Sequence, residues 1–269
     1  MVFVIVLDVL GVLGVLGGLC GLGGLRGRAH AAGPRPRFEP TDLELEDPGT
    51  AELDLQLGPA DGQSAWRLVV PDFELDLGLL PGLELDLDGA WAWEGGAGSG
   101  LFYHVAPDNL WLSMKVALGD WRDEDAGSAW ALGVQVGPKF PVAPATSGIG
   151  VEGLVLIGRF VGRTHLVLNL GGLVDPDAGG GRPEGLEGGL DLDLDLDATG
   201  TFSLSAEVGG TVYTSSDANE ATVTAGVAWQ ATPNLELSVT GLVGLAPGSD
   251  HFAVFFGISP KIKLWTPGR

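Results

Sequence analysis

The sequence predicts an all-β protein, an antiparallel up-and-down transmembrane β-barrel of about twelve strands. Three observations predict this fold: ribbons in which apolar and polar residues alternate, links that alternate between short and long, and tryptophans near predicted strand ends. Successive residues of a strand point to opposite faces, so each ribbon has one aliphatic and one polar face. Many such ribbons in one chain suit a closed barrel with lipid outside and water inside.

The clearest ribbon is Leu190–Asp197, in which leucine and aspartate alternate without a break. The pattern returns at 52–57, 73–77 and 83–88. A helix would scatter both residue types around its axis, so this spacing favours strands. A positive mean hydropathy of +0.26 beside a formal net charge of −21 fits a chain that places apolar and charged residues on separate faces.

The strands follow from this period of two residues, and most have about the nine to eleven residues with which a tilted strand crosses a membrane. Within the second strand the apolar phase slips at Pro71, which predicts a bend there. We place the strands near 50–58, 64–77, 83–93, 109–119, 128–138, 149–159, 163–174, 189–197, 201–214, 220–231, 234–245 and 252–265.

The links between these strands alternate in length, as they do in outer-membrane barrels with tight periplasmic turns and long outer loops. A soluble sandwich has no reason to alternate in this way. The link at 120–127 is long for a periplasmic turn. The short links are 79–82, 160–162, 198–200 and 232–233, and the longer ones are 94–108, 139–148, 175–188, 215–219 and 246–251.

Tryptophans near strand ends are typical of the aromatic girdles at membrane interfaces, although ordinary core tryptophans remain the alternative. In the last strand Ile258, Ile262 and Leu264 occupy even positions and so lie on one face. Trp265 occupies an odd position and lies on the opposite face, with the lysines. This predicts either a bulge in the last strand or an atypical terminal assembly signal. The tryptophans concerned are Trp66, Trp91, Trp93, Trp111, Trp130, Trp229 and Trp265.

The chain start predicts secretion. Residues 1–31 are apolar and glycine-rich and end in the A-x-A site Ala29-His30-Ala31, which is typical of a signal peptide, with a single membrane anchor as the alternative. Cys20, the only cysteine, lies inside this segment, so the mature chain has no thiol chemistry. We assign 32–49 to an N-terminal periplasmic segment, 50–265 to the barrel and 266–269 to a C-terminal tail, and expect the bacterial outer membrane as the location.

We predict that the polar face of each strand lines the interior of the barrel, the lumen. A charge that faced lipid at mid-membrane would cost about 2–4 kcal/mol. Glu152 has apolar neighbours on both parities and is not assigned. The candidate lumen-lining residues are Glu52, Asp54, Arg67, Glu74, Asp76, Glu84, Asp86, Lys115, Gln135, Lys139, His165, Asn169, Asp191, Asp193, Asp195, Glu207 and Lys261.

Twelve strands give a narrow barrel, between the side-chain-filled eight-stranded and the open sixteen-stranded forms. The excess of carboxylates favours cations or neutral molecules over anions. Outer-membrane lipid is an expected partner, whereas nucleic acid is not, because its phosphates would be repelled. We expect Arg67, Lys115, Lys139 and Lys261 to pair with carboxylates on neighbouring strands, with substrate binding as the alternative.

The sequence contains only weak signals for a catalytic site or a metal site. A barrel phospholipase needs serine and histidine within hydrogen-bond reach, and none of the mature histidines lies two residues from a serine on one strand face. The loop pair Asp250-His251 is the remaining candidate. Carboxylates two apart on a strand lie about 6.6 Å apart, so Asp191 and Asp193 need a neighbour such as Glu207 to bind Ca²⁺. We expect no enzyme activity, no cofactor and no metal.

Short motifs are spread along residues 37–265. They are Phe38-Glu-Pro-Thr-Asp42, Pro71-Asp-Phe-Glu-Leu75, Gly82-Leu-Glu-Leu-Asp86, Met114-Lys115, Gly137-Pro-Lys139, His165-Leu-Val-Leu-Asn169-Leu-Gly171 and Gly257-Ile-Ser-Pro-Lys-Ile-Lys-Leu-Trp265. With these motifs the chain resembles the outer-membrane proteins described as meta-pathway phenol-degradation transporters, relatives of long-chain fatty-acid and aromatic-hydrocarbon channels. The resemblance implies a bacterial outer-membrane barrel and uptake of small organic molecules.

These observations lead us to expect a passive channel for small organic solutes, including aromatic or hydrophobic ones. A non-conducting barrel with a structural or adhesive role is the first alternative. A barrel enzyme acting on lipid or envelope substrates is the second, and a soluble all-β protein is the third. The sequence leaves the oligomeric state open.

Overall fold

The computed structural model describes residues 45–62, 66–95, 102–123, 128–179, 181–214 and 218–266. The predicted signal segment, 1–31, lies outside them. No helix in these described ranges is long and apolar enough to span a membrane. The strands are β1 (Thr50–Asp61), β2 (Trp66–Leu80), β3 (Leu83–Gly95), β4 (Phe102–Pro107), β5 (Leu110–Asp123), β6 (Ser128–Phe140), β7 (Gly150–Val161), β8 (Thr164–Val174), β9 (Glu184–Asp195), β10 (Phe202–Tyr213), β11 (Glu220–Thr232), β12 (Leu235–Gly244) and β13 (Phe252–Lys263).

The strands form one closed antiparallel barrel. β1 pairs with β2 on one side and with β13 on the other, which closes the sheet and leaves no open edge. β4 and β5 together take the place of one interrupted strand beside β3. β4 pairs with residues 91–95 of β3, and β5 pairs with residues 83–88. The thirteen segments therefore make the twelve-stranded barrel that the sequence predicts.

Three predicted links are shorter in the structure. The expected loop at 94–108 is wrong where β3 continues to Gly95 and β4 occupies Phe102–Pro107. The expected loop at 175–188 is too long, because β9 begins at Glu184. Backbone hydrogen bonds between strands do not require alternating apolar and polar residues. The strands therefore extend beyond the segments in which that alternation is visible. The link predicted at 120–127 shortens to 124–127 for the same reason, since β5 continues through Asp123.

The barrel has a turn end and a loop end. The turn end carries the short links and both chain ends of the barrel, Thr50 and Lys263. Gly82 and Gly162 occupy its tight turns in the left-handed conformation, with φ of 77° and 61°. The longer links 141–149, 175–183 and 245–251 lie at the loop end. This separation matches the predicted alternation of link lengths.

The turn after β9 is organised by Asp197, the last residue of the Leu-Asp ribbon. Its carboxylate accepts hydrogen bonds from the Thr199 hydroxyl and from the backbone N–H groups of Thr199, Thr201 and Phe202. These bonds, the Thr199 hydroxyl first, favour the ionised form and lower the pKa of Asp197 to about 2. The final aspartate of the ribbon is therefore a turn residue and lies outside the strand.

The predicted bend at Pro71 is confirmed. The register of β2 against β3 shifts between Val69 and Asp72, and β1 shifts opposite it between Gln56 and Gly58. The extra residue restores the correct side-chain direction after the phase slip. The polar side chains of Arg67, before the bend, and Glu74, after it, therefore both face inward.

The outer surface is a broad apolar band, which is typical of a membrane-facing barrel. Five of the predicted girdle tryptophans, Trp66, Trp93, Trp130, Trp229 and Trp265, are exposed. The assignment of Trp111 to a girdle is wrong. This side chain is only 3% exposed, lies on the inner face and donates its indole N–H to the Gly137 carbonyl at 3.2 Å.

The last strand contains no bulge. β13 keeps an unbroken register with β1 and with β12. The strand ends at Lys263, and the N–H groups of Leu264 and Trp265 then donate to the Gly49 carbonyl. Trp265 therefore lies beyond the alternation of the strand, which explains its unexpected parity.

A close strand contact makes Gly137 a position where one methyl group has a large effect. A Cβ there would lie 1.9 Å from the Leu112 carbonyl oxygen of β5. We expect Gly137→Ala to lower the free energy of unfolding by about 1–3 kcal/mol through overpacking. Urea unfolding of the refolded barrel measures it. Gly241→Ala is the control, because a Cβ there meets only an atom at 4.0 Å. Equal stability of the two variants would contradict the contact.

Candidate functional site: the barrel lumen

The structure places all the candidate lumen residues on the inner parity of their strands. It also assigns Glu152, which points inward and is completely buried. The buried members are Asp54, Arg67, Glu84, Asp86, Lys115, Gln135, Lys139, Asn169 and Asp191. The half-buried members are Glu52, Glu74, Asp76, His165, Asp193, Asp195, Glu207 and Lys261.

Carboxylates on β1, β2 and β3 form a first acidic wall. Its members are in direct cross-strand register: Glu52 with Asp76, and Asp76 in turn with Asp86. Two lysines border it, with Lys115 Nζ 2.8 Å from Glu84 and Lys261 Nζ 3.0 Å from Glu52. The wall comprises Glu52, Asp54, Glu74, Asp76, Glu84, Asp86 and Asp88.

A second acidic wall lies on β9 and β10. Asp191 is in register with Glu207, and Asp193 lies between Ser205 on β10 and His165 on β8. Asp191 is 1% exposed, and neither of its carboxylate oxygens has a hydrogen-bond partner. β8 to β12 contain no lysine or arginine. The second wall comprises Glu187, Asp191, Asp193, Asp195 and Glu207.

The strand order sets the two walls opposite each other. Going round the twelve-stranded barrel, β9 is six strands from β2 in either direction when β4 and β5 count as one. Strands half a turn apart face each other across the lumen. The Leu-Asp ribbons therefore place carboxylates on both sides of a narrow interior.

Carboxylates from two links at the loop end pair with basic residues on the inner face of the barrel. Lys139 Nζ lies 2.8 Å from Glu152 on β7 and 2.6 Å from Asp175 in the link after β8. Arg67 on β2 is paired with Asp250 from the link before β13. The expected cross-strand pairing of the basic residues is therefore present for Lys115, Lys139 and Lys261, and the structure adds loop carboxylates as partners.

Two apolar clusters lie inside the barrel, and the sequence analysis did not predict them. Both lie on the inner parity of their strands. A strand segment that is apolar on both faces, such as 252–256, is the sequence signal that could have indicated these clusters. The first cluster is Ala60, Val69, Leu242, Ala253 and Phe255, and the second is Trp111, Leu154 and Leu156.

Residues 45–49 lie against the inside of the turn end. Glu46 places its carboxylate 2.6 Å from Lys261, and its backbone N–H donates to the Glu84 carboxylate. The Gly49 N–H donates to the Gly78 carbonyl at 2.7 Å. Across from them, Asp193 and Asp195 are only half-buried. The second wall therefore has accessible carboxylates near the turn end.

The proposed catalytic loop pair does not assemble. Asp250 is paired with Arg67, whereas Nδ1 of His251 lies 3.4 Å from Asp61. His165 makes an edge contact with Phe160, with ring centroids 5.0 Å apart. Asp250 and His251 therefore have different partners, and the geometry does not join them as a catalytic pair.

A closed antiparallel barrel with an apolar outer band and a charged lumen defines a transmembrane barrel of the outer-membrane type. The structure is similar to an outer membrane channel from Pseudomonas putida F1, with 15% identity and a TM-score of 0.59, covering 83% of this chain and 99% of that one. The NanC porin has 10% identity, a TM-score of 0.55 and coverage of 78% and 100%. The KdgM porin has 8% identity, a TM-score of 0.51 and coverage of 78% and 98%.

At these identities the likeness shows the fold. No protein-family model and no curated protein matches the chain. The resemblance to the phenol-degradation transporters therefore stays a prediction.

Proposed function

We propose that the protein is an outer-membrane channel through which small cationic and neutral solutes diffuse passively. The observation that carries the proposal is the pair of facing acidic walls inside a closed barrel, one of them on strands without lysine or arginine. A lumen lined by one sign of charge raises the local concentration of counter-ions and opposes like-charged ions. The similarity to channel structures supports the same function.

The solutes we propose are small organic molecules, including aromatic ones. Trp111 packs with the aliphatic Leu154 and Leu156 in one apolar cluster of the inner face, and Phe255 lies in the other. Both clusters are buried, so we propose that a ring inserts between these side chains while the wall carboxylates bind an attached amine. An aromatic acid of the same size lacks the second interaction.

Reconstitution in planar bilayers tests the channel. We expect discrete openings, and under a KCl gradient we expect a reversal potential that shows cation preference, because the walls repel chloride. A liposome-swelling arm compares benzylamine with benzoate, and we expect faster entry of the amine. Heat-modifiable gel migration verifies the fold of every sample.

Two results would decide against this function. Folded barrels that never open would favour the structural or adhesive alternative, with the ion-paired loops and apolar clusters sealing the loop end. Openings with anion preference would show that the acidic walls do not line the path of the ions.

A further inference from the structure

We propose that Glu74, Asp76 and Asp86 form a binding site for Ca²⁺ on the inner face of the barrel. One carboxylate oxygen from each residue lies within 4.8 Å of the others. An ion at the centre of three oxygens so spaced is at most about 2.8 Å from each, and movement of a few tenths of an ångström gives the 2.3–2.6 Å of a Ca²⁺–oxygen bond. The site is separate from the second wall, where the Leu-Asp ribbon lies.

Two strands build this site, which one strand cannot do. Asp76 on β2 and Asp86 on β3 are direct cross-strand partners, and Glu74 is the next inward residue along β2. Cross-strand partners bring Cβ atoms within about 5.5 Å of each other, whereas inward neighbours along one strand lie about 6.6 Å apart. The antiparallel register therefore supplies the convergence that spacing along a ribbon lacks.

The hydrogen bonding of Asp86 leaves one of its carboxylate oxygens available to a cation. This side chain is 1% exposed. Its Oδ2 accepts hydrogen bonds from Gln135 Nε2 at 2.8 Å and from Ser113 Oγ at 3.2 Å, which fix the carboxylate. Its Oδ1 has no hydrogen-bond partner, and neither does Oδ1 of Asp76. Buried anionic oxygens without donors are unfavourable unless a cation compensates them.

A third buried oxygen adds to this observation. Gln135 is also 1% exposed, and its Oε1 has no partner while its Nε2 holds Asp86. The adjacent ammonium of Lys115 is paired with Glu84 at 2.8 Å. With these two residues included, the cluster carries a formal charge of −4 + 1 = −3. Carboxylates therefore outnumber ammonium groups in this cluster by four to one.

The ligand chemistry selects Ca²⁺ among biological cations. All three ligands are carboxylates, and hard oxygen ligands favour Ca²⁺ or Mg²⁺ over transition metals, which prefer imidazole or thiolate. Mg²⁺ requires shorter bonds of 2.0–2.1 Å in a near-ideal octahedron, whereas Ca²⁺ accepts irregular geometry. Three carboxylates from two strands offer no fixed octahedron, so they suit the ion with the less strict geometry.

Calorimetric titration tests the site on the folded, chelator-treated protein in detergent micelles. We expect one Ca²⁺ per barrel, and a loss of affinity of at least tenfold in Glu74→Gln plus Asp86→Asn. Asp193→Asn plus Asp195→Asn is the matched control, because it removes the same charge from the opposite wall. The control keeps the Ca²⁺ affinity of the unmodified protein if the proposal is correct.

Two outcomes would overturn the proposal: folded unmodified protein that shows no saturable Ca²⁺ binding, or an equal loss of affinity in both variants. The second outcome would mean general screening by a charged lumen. If the Asp86 variant does not fold, Glu74→Gln alone takes its place, because Glu74 is half-buried whereas Asp86 is buried. Binding is measured without conduction, so the result is independent of the proposed channel function.

Discussion

Replacement of Lys139 by methionine is expected to lower the free energy of unfolding by about 3–5 kcal/mol. The ammonium group lies between two carboxylates, 2.8 Å from Glu152 and 2.6 Å from Asp175. Glu152 is completely buried, so the variant leaves an anion inside the barrel without its cation. Removal of one partner of a buried pair costs more than removal of both, because the remaining charge keeps its desolvation penalty.

Urea unfolding in lipid vesicles, followed by tryptophan fluorescence, measures this effect. The double variant Lys139→Met plus Glu152→Gln is expected to recover part of the lost stability, since it removes the uncompensated charge. Lys263→Met is the control at the turn end, where the lysine is exposed and donates to the Pro48 carbonyl and the Thr50 hydroxyl. A loss below about 1 kcal/mol for Lys139→Met, as expected of exposed pairs, would contradict the buried pairing.

The strands, and the face that each turns toward the lumen, could be predicted because the alternation of apolar and polar residues is a local property. Each Leu-Asp pair fixes the orientation of its own strand, and lipid penalises the opposite choice strongly. The same local pattern located the bend at Pro71, where the parity of the apolar residues changes between Val70 and Phe73. The first and last residues of strands were less predictable, because glycine-rich pairing in β9 leaves no periodic signal.

The interior of the lumen could be predicted only in part, since its contacts join distant residues. Asp250 reaches Arg67 across 183 positions of the chain, through a loop whose path no local pattern specifies. Trp111 lies at the end of its strand, where the sequence favours a girdle position, but its indole N–H bonds to Gly137 inside the barrel. The cluster at Phe255 likewise depends on which apolar parity faces inward, and in 252–256 both parities are apolar.

Neutralisation of the second acidic wall is expected to change ion selectivity more than any other substitution of comparable size. Asp193 and Asp195 are half-buried on strands without lysine or arginine, so little else compensates their charge. One charge pair at 4 Å is worth about 1 kcal/mol even in bulk water, and more in a low-dielectric lumen. Asp193→Asn plus Asp195→Asn is therefore expected to reduce the ratio of potassium to chloride permeability roughly five- to tenfold. Asp191 stays in place because its burial would mix folding with selectivity.

The control removes the same charge from the same part of the chain but outside the lumen. Asp177 lies in the link after β8, and Glu184 is an exposed outward residue at the loop end of β9. Asp177→Asn plus Glu184→Gln is expected to leave the reversal potential within experimental error at high salt, where exposed charges are screened. If the lumen and control variants behave alike, selectivity arises from the overall charge of the protein. If only the lumen variant loses cation preference, permeating ions pass beside the aspartates of the Leu-Asp ribbon, which then acts as one wall of the conducting path.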